Sequence, residues 1–141
     1  MPVLDQVVER YPTQVKIVFK NFPLRNHNMA VKAARAALAA ESQGKFWEYH
    51  DQLFKYYNRL SDQIIQKIVG VLDLDKTEFD KQMSSSTVMT RIQKDLRDGV
   101  NAGVRSTPTV FVNGKRLRDR KPQGFVQAIE KELKKLQSKA Q

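Results

Sequence analysis

The side chains able to do covalent or metal chemistry in this sequence are few. The 141 residues hold two histidines, His27 and His50, and no cysteine. Without a thiol the chain has no cysteine nucleophile, no disulfide, no thiolate metal ligand and no C-x-x-C redox pair. Two histidines with neither cysteine nor a carboxylate cluster beside them make a weak metal site. His50 shares an apolar helical stripe with Trp47 and Phe54, the position of a packing histidine. His27 falls where a strand exit meets a helix start, which suits capping or loop bonding. Trp47, Tyr49, Tyr56 and Tyr57 read as core and rim rather than as a stacking platform. What remains is Ser106-Thr107-Pro108-Thr109, directly ahead of the apolar run Val110-Phe111-Val112. Taken alone, Thr107-Pro108 reads as an ordinary trans proline opening an edge strand.

The formal net charge is +10, a balance that favours anionic partners. Lysine and arginine are spread along the chain, however, and few aromatics are interleaved with them as a single-strand binder requires. A solvated, lysine-rich surface is the simpler reading, and nucleic acid is not the expected partner. The densest cluster, Lys131, Lys134, Lys135 and Lys139, lies at the C-terminal end of a helix, where cations complement the helix dipole. No apolar run reaches the length of a membrane-spanning helix. The N-terminus lacks the charged and apolar regions of a secretory signal. The length suits one domain with a modest core.

The elements that must position these residues follow from periodicity. Residues 2–10 predict a short amphipathic helix through Val3, Leu4, Val7 and Val8, with Pro2 allowed in its first turn and Tyr11-Pro12 ending it. Val15, Ile17 and Phe19 alternate with Lys16, Val18 and Lys20, as in a β-strand. About eighty helical residues follow. Asn26 or Asn28 is expected to cap an alanine-rich helix that Gly44 stops or kinks. Phe46, Trp47, His50, Leu53, Phe54 and Tyr57 form the next stripe. Ser61-Asp62 opens a third helix, residues 75–83 make a fourth around Phe79, and Ser86 or Thr87 begins a fifth with Met89, Ile92, Leu96 and Val100 inward. The period then switches to two: residues 109–112 predict a strand, Asn113-Gly114 a hairpin turn, and Lys115-Arg116-Leu117 its return. Residues 122–137 close the chain as a helix through Phe125, Val126, Ile129, Leu133 and Leu136. The order is α, β, several α, β-hairpin, α, an α/β or α+β pattern.

Three blocks in that order resemble a known family. Residues Val104 to Gly114 (VRSTPTVFVNG) look like the cis-proline strand and hairpin of thioredoxin-like proteins. Lys16 to Leu24 (KIVFKNFPL), with His27 three residues on, look like the second strand of the DsbA-like branch. Gly44 to Phe54 (GKFWEYHDQLF) are similar to that branch's helical insert. The resemblance covers Met1 to about Leu133. It implies an α/β thioredoxin-like fold in which a helical insert separates the second strand from the cis-proline hairpin. It also implies that Thr107–Pro108 is cis. Such a bond makes up only about 5–6% of X–Pro bonds in folded proteins. In the family this proline presents the preceding residue's N–H and C=O to an extended client segment, which adds as a short strand. Ser106, Thr107, Pro108 and Thr109 would then be the substrate-binding residues, in dithiol–disulfide exchange with protein clients. No cofactor and no metal is implied. A location outside the cytoplasm is suggested by the resemblance alone.

The family begins with a strand followed by C-x-x-C at a helix N-terminus, where the dipole lowers the attacking thiol's pKa. Met1-Pro2-Val3-Leu4 resembles the middle of that helix. The expectation is therefore one thioredoxin-fold domain over residues 1–141, N-terminally incomplete, lacking the first strand and with no catalytic residue of its own. The chain could be a fragment, a translation start assigned at an internal methionine, or a redox-inactive relative that serves as a peptide- or protein-binding module. Losing a central strand would leave open edges between residues 14–20 and 109–112. Compensation by a second protomer lending a strand is favoured over direct pairing of those two segments. The turn before the last helix, Leu117-Arg118-Asp119-Arg120-Lys121, is charged where the family usually has a glycine.

Overall fold

The computed structural model describes residues 1–141 in two compact units, one formed by Met1–Phe19 with Val104–Gln141 and the other by Lys20–Gly103. The seven helices are α1 (Pro2–Arg10), α2 (Ala30–Glu41), α3 (Phe46–Lys55), α4 (Asp62–Val71), α5 (Lys76–Met83), α6 (Ser86–Asn101) and α7 (Pro122–Lys139). The two strands are β1 (Phe111–Val112) and β2 (Lys115–Arg116).

In the second unit the alanines of α2 form the centre. Ala36, Ala37, Ala39 and Ala40 are buried with Tyr49, Leu53, Ile65, Ile68, Val69 and Phe79. Small side chains let α3, α5 and α6 approach α2 closely. Tyr49 and Phe79, both fully buried, stack with ring centroids 5.5 Å apart. The Tyr49 hydroxyl donates to the Ile65 carbonyl at 2.8 Å, which satisfies its buried polar end.

The stop of α2 is local chemistry. Gly44 has φ +72°, its N–H donates to the Glu41 carbonyl, and the Lys45 N–H reaches the Ala40 carbonyl. This is the Schellman arrangement, which needs a left-handed residue where glycine stands. The start of α2 differs from expectation. Met29 is the N-cap and no side chain caps it, so neither Asn26 nor Asn28 does. The loop uses backbone instead: Ala30 N–H donates to the His27 carbonyl and His27 N–H to the Leu24 carbonyl.

Helices α4, α5 and α6 do carry side-chain caps. Ser61 Oγ accepts from the Ile64 N–H, and Asp75 Oδ1 accepts from the Glu78 N–H at 2.7 Å. The Asp75 backbone is also held by both ends of the Gln43 amide. Replacing Asp75 with alanine removes the cap and a favourable charge at the helix N-terminus while leaving those backbone bonds. The expected loss is about 1 kcal/mol, to be read from the urea midpoint.

The stripe of α6 is rotated from the expected one. Val88 and Ile92 are buried with Leu38, whereas Val100 is 60% exposed. On α7, Leu136 is likewise exposed. On α3, Trp47 and Phe54 are half exposed, Tyr57 beyond the helix more so, and Tyr49 is the buried aromatic.

The first unit is built on α1 and α7. Val7, Tyr11, Phe125 and Ile129 are buried, with Val15, Val110, Val112 and Leu117 packed against them. The hairpin pairs Val112 with Lys115 and Phe111 with Arg116. Both loop residues have positive φ, Asn113 at 46° and Gly114 at 77°, as a type I′ turn requires.

The strand expected at residues 15–20 is not formed. Its burial still alternates: Val15, Ile17 and Phe19 are half-buried while Lys16, Val18 and Lys20 are exposed. No hydrogen-bond ladder joins it to β1, and the sheet has two strands only. A strand is defined by its partner's hydrogen bonds, and residues 15–20 have no ladder partner. The direct pairing of residues 14–20 with 109–112 is therefore not the arrangement found.

Candidate functional site

The loop leading into β1 is held from below and from one side, and is open on the other. Ser106, Thr107 and Pro108 are exposed and Thr109 is half-buried. The Thr107–Pro108 bond is cis. Thr109 Oγ1 donates to the Ser106 carbonyl at 2.6 Å, which closes the loop on itself. The Arg120 guanidinium donates to the Pro108 carbonyl. Val110 and Val112 anchor the far end of the loop in the core with Leu117, whose N–H donates to the Val110 carbonyl at 2.8 Å.

What is left unengaged is informative. The backbone N–H and C=O of Thr107 make no hydrogen bond within the chain. In the hairpin, the Val112–Lys115 pair flanks the two-residue turn as a hydrogen-bonded pair, and the Leu117 N–H donates to the Val110 carbonyl. Phe111–Arg116 is then the non-hydrogen-bonded pair, so the Phe111 N–H and C=O point away from β2. Thr107 and Phe111 together present one row of backbone donors and acceptors to whatever lies alongside.

Charged turn residues brace this edge. Asp119 Oδ1 accepts from the Lys121 N–H at 3.0 Å, shaping the entry to α7. Gly124, in the first turn of α7, lies directly against Asp119: a Cβ placed on it would sit 2.2 Å from the Asp119 carbonyl oxygen. The glycine missing from the turn is thus found inside the helix that follows. Deeper in the unit, the Tyr11 hydroxyl donates to Glu130 at 2.6 Å, and that hydrogen bond, with burial, raises the phenol pKa.

Glu132 Oε1 accepts from both Lys115 and Lys135, each at 2.8 Å, tying β2 to α7. The Lys115 and then the Lys135 hydrogen bonds hold the Glu132 carboxyl down to about 2. A depressed folded pKa means stabilisation that is whole above the ordinary value of 4.5 and is lost as the pH falls toward 2. Glu132→Gln should therefore unfold at lower urea than the parent chain at neutral pH. The gap between the two should close on acidification through that window. A gap that stays constant down to pH 2 would refute the assignment.

The other residues considered for chemistry have structural roles. His50 is buried, with ring centroids 4.7 Å from Phe54, 5.6 Å from Trp47 and 6.0 Å from Phe46. Burial lowers its pKa, against the opposing pull of Asp51, so the neutral imidazole is favoured. His27 is exposed in the loop before α2. No group of three or more histidine and carboxylate side chains is placed to hold a metal. Sequence reasoning missed a buried polar pair in the second unit: Asp95 Oδ2 accepts from the Asn21 N–H at 3.0 Å and from its side-chain amide at 2.8 Å. The available signal was a carboxylate set between Ile92 and Leu96 on an inward stripe. The Arg120–Pro108 bond had no such signal.

A family model described as Thioredoxin matches residues 2–131. The chain is similar to the Na(+)/H(+) antiporter NhaA 1 of Mycolicibacterium gilvum (strain PYR-GCK), 36% identical over 118 residues, which are 82% of this chain and 19% of that protein. It is similar as well to the Na(+)/H(+) antiporter NhaA 3 of Salinispora tropica, 35% identical over 116 residues, 82% of this chain and 18% of that protein. The chain thus spans about a fifth of the length of the curated relatives it matches. Among solved structures it is similar to a thioredoxin-like oxidoreductase from Silicibacter pomeroyi DSS-3, with TM-score 0.80 and 24% identity over 96% of this chain and 77% of that one. At that identity the likeness speaks to the fold, which is thioredoxin-like.

Proposed function

Since the chain belongs to the thioredoxin family, we propose that it is the client-docking part of a DsbA-like thiol–disulfide oxidoreductase, with Ser106, Thr107, Pro108 and Thr109 receiving an extended segment of a protein client. The observation that carries this reading is the exposed loop in which the Thr107 N–H and C=O have no partner in the chain. An incoming segment can satisfy both groups as a short added strand, with affinity from the main chain. Dithiol–disulfide exchange needs a thiolate to attack one sulfur and a second thiol to resolve the mixed disulfide. These 141 residues contain neither, so the chain by itself docks clients and does not turn them over. The antiport named for the curated relatives belongs to proteins of which this chain matches about a fifth, and none of its helices is long and apolar enough to cross a membrane.

The lack of cysteine favours a second reading, a binding module of thioredoxin fold that performs no exchange. The two differ in the coding sequence upstream of the Met1 codon. An in-frame strand followed by C-x-x-C supports the oxidoreductase, and its absence supports the module. In either case insulin reduction by dithiothreitol should proceed at the uncatalysed rate with the 141-residue chain. In an NMR titration with an extended peptide, the Thr107 and Phe111 amides should move first. The same open edge would also accept a second copy of the chain. A dimer that persists on dilution in light scattering, with Phe111 buried, would displace the client reading.

A further inference from the structure

Charge is not evenly divided between the two units. Residues 20–103 carry thirteen basic and ten acidic side chains, whereas residues 1–19 and 104–141 together carry twelve basic and five acidic ones. The excess is densest around the docking loop. Residues 105–121 hold six cations, Arg105, Lys115, Arg116, Arg118, Arg120 and Lys121, against the single acid Asp119.

Three of these seven charges have structural work. Arg120 is bound to the Pro108 carbonyl, Lys115 to Glu132, and Asp119 to the Lys121 N–H. Arg105, Arg116 and Arg118 are exposed and have no carboxylate within ion-pair distance. Their placement is directional. Arg105 immediately precedes Ser106. Arg116 stands across from Phe111 in the non-hydrogen-bonded pair, where side chains lie closest. Leu117 packs inward while its neighbours Arg116 and Arg118 do not. One uncommitted guanidinium thus directly precedes the loop, and the β2 side of the hairpin carries two more.

We propose that this edge selects acidic client segments: extended stretches carrying Asp or Glu beside the residues that pair with Thr107 and Phe111. The proposal rests on the docking reading above and names its substrate class. Guanidinium forks match carboxylates in geometry as well as charge, and complementary charge at a rim speeds encounter and fixes register. A polypeptide fits better than nucleic acid. The open groups are backbone donors and acceptors in strand spacing, and Phe111 is the one aromatic residue between 104 and 121, too few to stack successive bases.

Two cysteine-free peptides with the same alternating Val/Thr centre test the proposal, one flanked by aspartates and one by lysines, each titrated into the 141-residue chain by NMR. At about 50 mM salt the acidic peptide should bind about ten-fold more tightly, and the preference should fall to under about three-fold at 0.5 M. Arg116→Gln with Arg118→Gln should abolish the preference, and the paired Glu substitutions should reverse it. An unchanged far-UV spectrum for each variant shows that the fold is retained. If both peptides bind equally while the Thr107 and Phe111 amides shift, docking stands and acidic selection is overturned. If the acidic peptide binds without moving those amides, or neither peptide binds, the docking reading fails and takes the proposal with it. Tighter binding of oligothymidylate or of phosphatidylserine vesicles than of the acidic peptide would also overturn it, by assigning the arginines to nucleic acid or lipid.

Discussion

Replacing Asp95 with alanine is expected to destabilise the unit of residues 20–103 by about 3 kcal/mol or more, the cost of two buried donors at about 1–3 kcal/mol each. The carboxylate is 4% exposed and Asn21 3%. One carboxylate oxygen accepts from both the backbone N–H and the side-chain amide of Asn21. Lys20 Nζ stands 3.4 Å from the other oxygen and 3.6 Å from Asp98. Alanine leaves both Asn21 donors without an acceptor in a site closed to water. Lys20 is more than half exposed and returns to solvent at little cost, so the loss is dominated by Asn21. Asp95→Asn keeps an acceptor oxygen and should lose roughly half as much, because a neutral acceptor is weaker than a charged one. Urea denaturation gives the magnitudes. Hydrogen exchange at the Asn21 amide reports the site, and a slow Asn21 amide in the alanine variant would show that another acceptor takes over.

Gly124→Ala should also cost about 3 kcal/mol, against the usual sign of that substitution. In an exposed helix interior alanine is preferred to glycine by about 1 kcal/mol. Here the new Cβ would lie 2.2 Å from the Asp119 carbonyl oxygen, 2.7 Å from its Cγ and 2.8 Å from its Cβ. The nearest atom is backbone, so a rotamer change cannot relieve the overlap. Either α7 must shift on its core partners Val7 and Tyr11, or the turn carrying Asp119, Arg120 and Lys121 must move. Overpacking of this kind typically costs about 1–3 kcal/mol, and the helix-propensity gain offsets only part of it. If the turn moves, the Arg120 hold on the Pro108 carbonyl loosens. Peptide binding at Thr107 should then weaken together with stability. A variant as stable as the parent chain would mean that the close approach of Gly124 to Asp119 does not persist in solution.

The amino-acid sequence by itself determined the elements whose causes are short in range. Helix 2–10, the chain reversal at Gly44, the helix start at Ser61 and the Asn113-Gly114 hairpin are each settled by residues within about five positions of one another. They stand where periodicity and turn chemistry put them. It also determined that no thiol chemistry occurs within these 141 residues, since no fold can supply a missing sulfur.

Tertiary structure alone decided three things. Residues 15–20 keep the alternating burial of a strand but are not one, because a strand exists through a ladder to a neighbour and none is in place. The inward faces of α6 and α7 exclude Val100 and Leu136, because a stripe three residues wide is compatible with more than one rotation until a partner helix selects it. The bonds that brace the fold and the loop before β1, Asn21 to Asp95 across 74 positions, Arg120 to Pro108, and the contact of Gly124 with Asp119, depend on chain segments meeting in space. A carboxylate, a guanidinium and a glycine have no sequence period that announces such a meeting, because the energy of each contact comes from desolvation and close approach once the chain has folded.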